Sequence, residues 1–183
     1  MYAYIKGIID EVLPNYIVIN NNNIGYKVFV ANPYSFKENE EYKVYIYEHI
    51  REDEHSLYGF KDIEEKDLFL KLLDVKGLGP KMALPMFATG SISGIIDAIN
   101  RENILYLKKF PKIGDKIAKQ IILDLKGKVH TEKEVVDEVK NEDVSLALIS
   151  LGYKSVDINK VLPKIKDDTV ENMIKEALKL LMK

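Results

Sequence analysis

The first sixty residues alternate between apolar and polar positions. In AYIKGIIDEV (3–12) the two kinds exchange places along the run, and in IGYKVFV the residues Ile24, Tyr26, Val28 and Val30 share one face. A period of two is that of a half-buried strand. Turn signals separate the runs: Pro14-Asn15, the polar NNN at 21–23, and NPYSFKENEE at 32–41. With YIVIN, YKVYIYEHI and HSLYGF the set amounts to about five short strands, which predicts a small barrel or sandwich.

The period lengthens after residue 61. Asp62 is placed to cap a helix through EEKDLFLKLLDV, with Glu65 completing a capping box, and Leu68, Phe69, Leu72 and Leu73 form its buried stripe. Further helices are predicted at 80–88, 93–100, 102–109 and 114–126. The run KVHTEKEVVDEVKN (128–141) is charged and lacks glycine, and it reads as a flexible linker, in part helical. Beyond it, EDVSLALISLGY sets Val144, Ala147, Leu148 and Leu151 on one face, with Gly152 as a C-terminal stop. A helix from about Val156 follows, and then DDTVENMIKEALKLLMK, with Val170, Met173, Ile174, Ala177, Leu178 and Leu181 aligned. Three short helices in about 40 residues lie near the lower limit of independent folding, a size suited to a tethered docking unit. The boundaries predicted are a β domain at 1–62, a helical domain at 63–128, a linker at 129–141 and a helical tail at 142–183.

Composition narrows the class. The chain has 183 residues, 46% of them hydrophobic, and no cysteine, which removes disulfides, thiolate metal sites and cysteine nucleophiles. No apolar run reaches the length of a membrane span, and MYAYIKGIIDEV lacks the regions of a signal peptide, so a soluble, cytoplasmic protein is expected. The formal net charge of −2 conceals an uneven distribution. Residues 1–70 carry 7 Lys+Arg against 13 Asp+Glu, residues 71–128 carry 11 against 5, and residues 129–183 carry 9 against 11. A basic middle between acidic flanks is the footprint of a phosphate partner or, equally, a solvated lysine-rich surface.

The chemistry concentrates in VKGLGPKMAL (75–84) and its partial repeat KFPKIGDKIA (109–118). Two glycines one residue apart permit a tight turn, Pro80 suits a first helical position, and the free amides of that helix start point outward beside Lys81. Such amides hold a phosphate oxygen without reading a base. The segment is not a P-loop, whose GxxxxGK[ST] spacing it lacks, nor GxGxxG, because Met82 occupies the third glycine position. One copy alone favours an ordinary helical connection. Two copies in the basic block point to paired helix-hairpin-helix elements that track a DNA backbone. The second copy is degenerate: Lys112 replaces the first glycine and Asp115 follows Gly114, although Lys116 and Lys119 keep positive charge at the helix start. Pro85 is expected to kink or shorten the helix it enters.

Taken together, REDEHSLYGF (51–60), KDLFLKLLDVKGLGPKMAL, LKKFPKIGDKIAKQIILDLKGK and ALISLGYK, in that order, resemble the RuvA family, bacterial subunits that recognise Holliday junctions. The resemblance spans nearly the whole chain apart from the linker. It implies an OB-type barrel, a double helix-hairpin-helix domain and a C-terminal three-helix, UBA-like domain. It further implies a homotetramer, or two face to face, that holds a four-way junction open for branch migration in recombination and DNA repair. The implied partners are the hexameric ATPase RuvB and the resolvase RuvC, with ATP and magnesium used by the ATPase and no cofactor, metal or catalytic site in this chain. Carried over residue by residue, DNA contacts fall on Lys76, Gly77, Gly79, Lys81, Lys112, Gly114, Lys116 and Lys119. An acidic pin falls on Arg51, Glu52 and Asp53, and a RuvB-facing surface on Leu148, Leu151, Tyr153 and Leu178. The pin is physically sensible in a fourfold assembly, where four such turns would meet at the centre and repel misplaced phosphates.

Rival readings are a generic helix-hairpin-helix DNA-binding module, a DNA-repair glycosylase or nuclease using Asp97 or Asp124, a magnesium nuclease using Glu52 and Asp53, and a single-strand binder working through the tyrosine-rich barrel. Asp97 and Asp124 each sit in an ordinary apolar helical pattern. Adjacent carboxylates in a strand point to opposite faces, and the β segment is the acidic one. His49, His55 and His130 show no metal spacing.

Overall fold

A computed structural model describes residues 1–130, 132–165 and 169–181, with the backbone alone considered for 132–139. The chain divides into two compact units, Met1–Val129 and His130–Lys183.

The first unit begins with five strands: β1 (Tyr4–Val12), β2 (Tyr16–Asn21), β3 (Ile24–Val30), β4 (Glu41–Ile50) and β5 (His55–Phe60). They close a barrel in the order β1-β2-β3-β5-β4, antiparallel except for the parallel pair β3 and β5. Closure leaves no unpaired sheet edge, and the alternation read from the sequence sends Ile5, Ile9, Ile17, Ile19, Val28, Val30, Val44 and Ile46 inward. The turn at Asn22 and Asn23 has φ of 52° and 65°, the left-handed pair that a two-residue hairpin requires.

Six helices complete this unit: α1 (Ile63–Leu73), α2 (Pro80–Ala83), α3 (Met86–Thr89), α4 (Ile92–Asn100), α5 (Ile104–Leu107) and α6 (Asp115–Leu125). They share one core with the end of the barrel, where Phe69 packs against Phe60 with ring centroids 4.7 Å apart and also contacts Tyr58 and Phe87. This shared core fixes the hairpins relative to the strand turns. Two local expectations are revised. Asp62 caps α1 by backbone geometry without a side-chain bond, and Glu65 accepts instead from the Lys61 amide at 3.3 Å. The helix predicted over 80–88 is two short ones, α2 and α3, because Pro85 has no N–H for a bond to the preceding turn.

The second unit holds α7 (Glu132–Ser150), α8 (Ser155–Val161) and α9 (Val170–Leu181) around Val144, Leu148, Ile158, Val161, Met173 and Ala177. The charged segment read as a linker is helical from Glu132 and continuous with the tail's first helix. Gly152, at φ 93°, ends α7 in a Schellman turn: the Gly152 amide donates to Ile149 and the Tyr153 amide to Leu148.

Candidate nucleic-acid interface

The two hairpins have the same backbone. In the first, Leu78 N–H donates to the Val75 carbonyl at 3.0 Å across a turn whose third residue, Gly77, has φ 88°. In the second, Ile113 N–H donates to the Phe110 carbonyl at 3.2 Å, and the third residue, Lys112, has φ 65°. Positive φ at that place is the demand of a type II turn. The fourth residues, Leu78 and Ile113, are buried and anchor the turns to the core. Gly79 (φ −101°, ψ 172°) and Gly114 (φ −93°, ψ 178°) then cap α2 and α6 in matching extended conformations.

The caps face open space. A Cβ built at Gly77, Gly79 or Gly114 would meet nothing within 4 Å, so a ligand can approach the backbone there closely. The first amides of a helix have no intrahelical acceptor and are available to an anion. Lys76, Lys81, Lys112, Lys116 and Lys119 are exposed around these starts. Among the described residues, Lys76, Lys112, Lys116 and Lys119 form no ion pair. Lys81 and Lys112 line one cleft of about 540 Å³, together with Asn15, Phe29, Tyr58 and Pro85, so the hairpins present a common surface.

Two hairpin charges are not free. Lys81 pairs with Glu54 at 2.9 Å, and Asp115 pairs with Lys108 at 2.9 Å. The Lys108 hydrogen bond holds the Asp115 carboxyl below the ordinary aspartate range. Neither Glu54 nor Lys108 stood among the candidate residues, although both lie inside the quoted motifs. Their partners are set by the fold: Glu54 and Lys81 are separated by 27 residues of chain.

Arg51, Glu52 and Asp53 form the exposed turn between β4 and β5, closed by the Arg51 amide donating to the Glu54 carbonyl at 2.7 Å. Among the described residues neither Glu52 nor Asp53 has an ion-pair or hydrogen-bond partner, so the turn presents uncompensated negative charge beside the basic hairpins.

Comparison with known proteins agrees with this arrangement. Residues 1–59 match the family model described as RuvA N terminal domain, residues 69–128 a SAM-like helix-hairpin-helix tandem, and residues 139–182 the RuvA C-terminal domain. A protein of Pediococcus pentosaceus named Holliday junction branch migration complex subunit RuvA is 47% identical over 194 positions, spanning 100% of both chains. Proteins of the same name from Leuconostoc mesenteroides and Streptococcus pneumoniae are each 44% identical, again over 100% of both chains. The chain belongs to the RuvA family.

Not every residue carried over from the RuvA resemblance is where a docking surface would need it. Leu148 is fully buried in the second unit's core, and Tyr153 and Leu178 are half-buried against it. Leu151 is 59% exposed, because α7 ends before it and the glycine turn lifts it from the core. Leu146 and Ile149 on α7 join it at the surface. Asp97 and Asp124 have local partners: Asp97 pairs with Arg101, the residue that follows α4, at 2.7 Å, and Asp124 accepts from the Gln120 amide on α6 at 2.8 Å. Among the described residues no group of three His, Cys, Asp or Glu side chains is placed to hold a metal, and no single helix is long and apolar enough to cross a membrane.

Proposed function

We propose that this chain recognises four-way DNA junctions through its paired hairpins and serves as the DNA-binding, non-catalytic subunit of a branch-migration complex. The observation that carries the reading is the pair of backbone-matched hairpins, open at their caps, beside an uncompensated acidic turn. Phosphates bind at Gly77, Gly79 and Lys81, at Gly114 and Lys116, and at the flanking Lys76, Lys112 and Lys119. These contacts are blind to sequence, so specificity comes from shape. Four copies around a junction bring four Arg51-Glu52-Asp53 turns to the crossover, where their charge keeps the strands apart. Strand movement is driven by a RuvB-type ATPase, docked on the second unit around Leu151, with Leu146 and Ile149 beside it. A second tetramer or a RuvC-type resolvase takes the opposite face of the junction.

The test is a gel-shift titration of a four-way junction against a duplex of equal arm length, with magnesium present and salt varied. The expected result is strong junction preference, bound species of tetramer size and a steep salt dependence, since each neutralised phosphate adds about 0.9 to the slope of log K against log salt. Equal affinity for both substrates would reduce the protein to a generic backbone binder. Removal of residues 130–183 at the boundary between the units should spare junction binding and abolish stimulation of the partner ATPase. Loss of junction binding in that truncation would refute the division of labour.

A further inference from the structure

Glu54 ties the acidic turn to the first hairpin. Its carboxylate accepts from Lys81 Nζ at 2.9 Å and from the Ser56 hydroxyl at 2.9 Å, and its side chain is 26% exposed against 70% for Lys81. Ser56 fixes the carboxylate, while Lys81 is the solvent-facing member of the pair. Of the five lysines exposed around the two helix starts, Lys81 alone has a carboxylate partner among the described residues; Lys76, Lys112, Lys116 and Lys119 have none. In agreement, the hydrogen bonds from Lys81 and then Ser56 hold the Glu54 carboxyl below the ordinary glutamate range.

We infer that Glu54 is a specificity-determining residue, a resident counter-ion that a DNA phosphate must displace from Lys81 before the first hairpin can bind. The inference rests on the junction-binding reading. A phosphate that takes Lys81 exchanges one ion pair for another, so the contact adds little attraction of its own. It also leaves a freed carboxylate one residue from Asp53, adding negative charge to the turn beside the incoming DNA. An isolated duplex, engaging few hairpins, gains little from that exchange. A four-way junction, engaging hairpins on every arm, has enough further contacts to drive it. The counter-ion therefore weakens the wrong substrate more than the right one, which is how discrimination arises from a repulsive element.

Salt supplies a direct signature. Each neutralised phosphate releases counterions from DNA with a slope of about 0.9. Salt also screens the Glu54–Lys81 pair, which makes the exchange easier as salt rises and offsets part of that release. Glu54→Gln keeps the side chain's shape and a hydrogen-bonding oxygen for Ser56 while removing the charge. It should bind duplex about two- to fivefold tighter. Its duplex salt slope should steepen for each hairpin engaged, by less than the roughly 0.9 of a whole phosphate contact, and its junction-to-duplex ratio should fall.

The experiment measures duplex and junction affinity by fluorescence anisotropy over a salt series for four full-length proteins: wild type, Glu54→Gln, Lys81→Ala and the double variant. The inference expects the Glu54→Gln effect on duplex to vanish when Lys81 is already alanine. An unchanged duplex affinity and slope in Glu54→Gln would overturn it. So would an equal effect in both backgrounds, because Glu54 would then act on DNA directly and not through Lys81. Absence of junction preference in the wild type would overturn the junction reading itself, and that result is read before either variant is used.

Discussion

The first hairpin reaches its left-handed turn with Gly77 at φ 88° and starts its helix with Pro80, whereas the second uses Lys112 at φ 65° and starts with Asp115. Their hydrogen bonds and cap conformations coincide, so the two differ in chemistry laid over one backbone. The first helix is broken at Pro85 after one turn, while α6 runs through eleven residues. The first hairpin has no acidic residue of its own at the helix start, and its lysine is restrained by a carboxylate from a strand turn. The second has its acidic residue built in, and Lys108, the residue that follows α5, restrains it instead. A backbone fold that recurs with different charges shows which part is required for shape: the buried anchor, the left-handed third residue and the extended cap.

The largest effect should come from placing a negative side chain at each cap. Gly79→Glu and Gly114→Glu meet no steric obstacle, and both caps have extended backbones that any residue adopts. Folding should change only by the loss of a favoured cap residue, about 1 kcal/mol or less, checked by thermal melting. Junction affinity in gel shifts should fall at least about tenfold, or about 1.4 kcal/mol, for Gly79→Glu. Gly114→Glu should cost less, roughly threefold, because Asp115 already places a carboxylate at that helix start. Equal losses would break the comparison and make the hairpins interchangeable.

A second pair of variants sharpens the comparison through stability. A left-handed conformation costs a non-glycine residue about 1–2 kcal/mol. Gly77→Ala should thus destabilise the protein by about 1 kcal/mol in chemical denaturation. Lys112→Gly should stabilise it by about 0.5 kcal/mol, part of the relief being offset by glycine's greater freedom in the unfolded chain. The same substitution removes a cation from the cleft, so the salt slope for duplex binding should drop by about 0.9. Stability and binding would move in opposite directions, a result that a purely structural Lys112 cannot produce.

How much of this could be read along the chain follows from the range of each interaction. The barrel strands and the hairpin positions were legible because alternation and glycine turns are local signals. The place of Lys112 was legible as a departure from the glycine pattern. That it nevertheless adopts the left-handed turn was not, since the anchors Phe110 and Ile113 impose it from the core. Helical spacing put Leu148 and Leu151 on one face, but the chain leaves the helix at Ser150, so one is core and the other surface. The capping box at Asp62 was half right, because Glu65 bonds one residue further back. The Glu54–Lys81 pair was out of reach of any linear reading, because it depends on how the barrel turn meets the hairpin in the shared core.

The smallest effect concerns the acidic helix start. Asp115 is 66% exposed, paired with Lys108 at 2.9 Å and further favoured in its charged form by Lys119. Its carboxyl is therefore held below the unfolded value, so this pair stabilises the fold above the ordinary aspartate range, and the contribution is lost only as acid protonates the folded group. At neutral pH the pair is fully formed, and a phosphate approaching α6 meets a carboxylate where α2 offers Pro80. Asp115→Asn removes that charge and releases Lys108. Duplex affinity should rise about two- to threefold, with a salt slope steeper by up to about 0.9. Adding Lys108→Ala to Asp115→Asn should return the slope towards the wild-type value, since the released lysine is then absent. If Asp115→Asn leaves affinity and slope unchanged, the second hairpin makes no phosphate contact at its helix start. Lys112 and Lys119 would then be its remaining hold on the DNA, and the two hairpins would share a backbone without sharing a function.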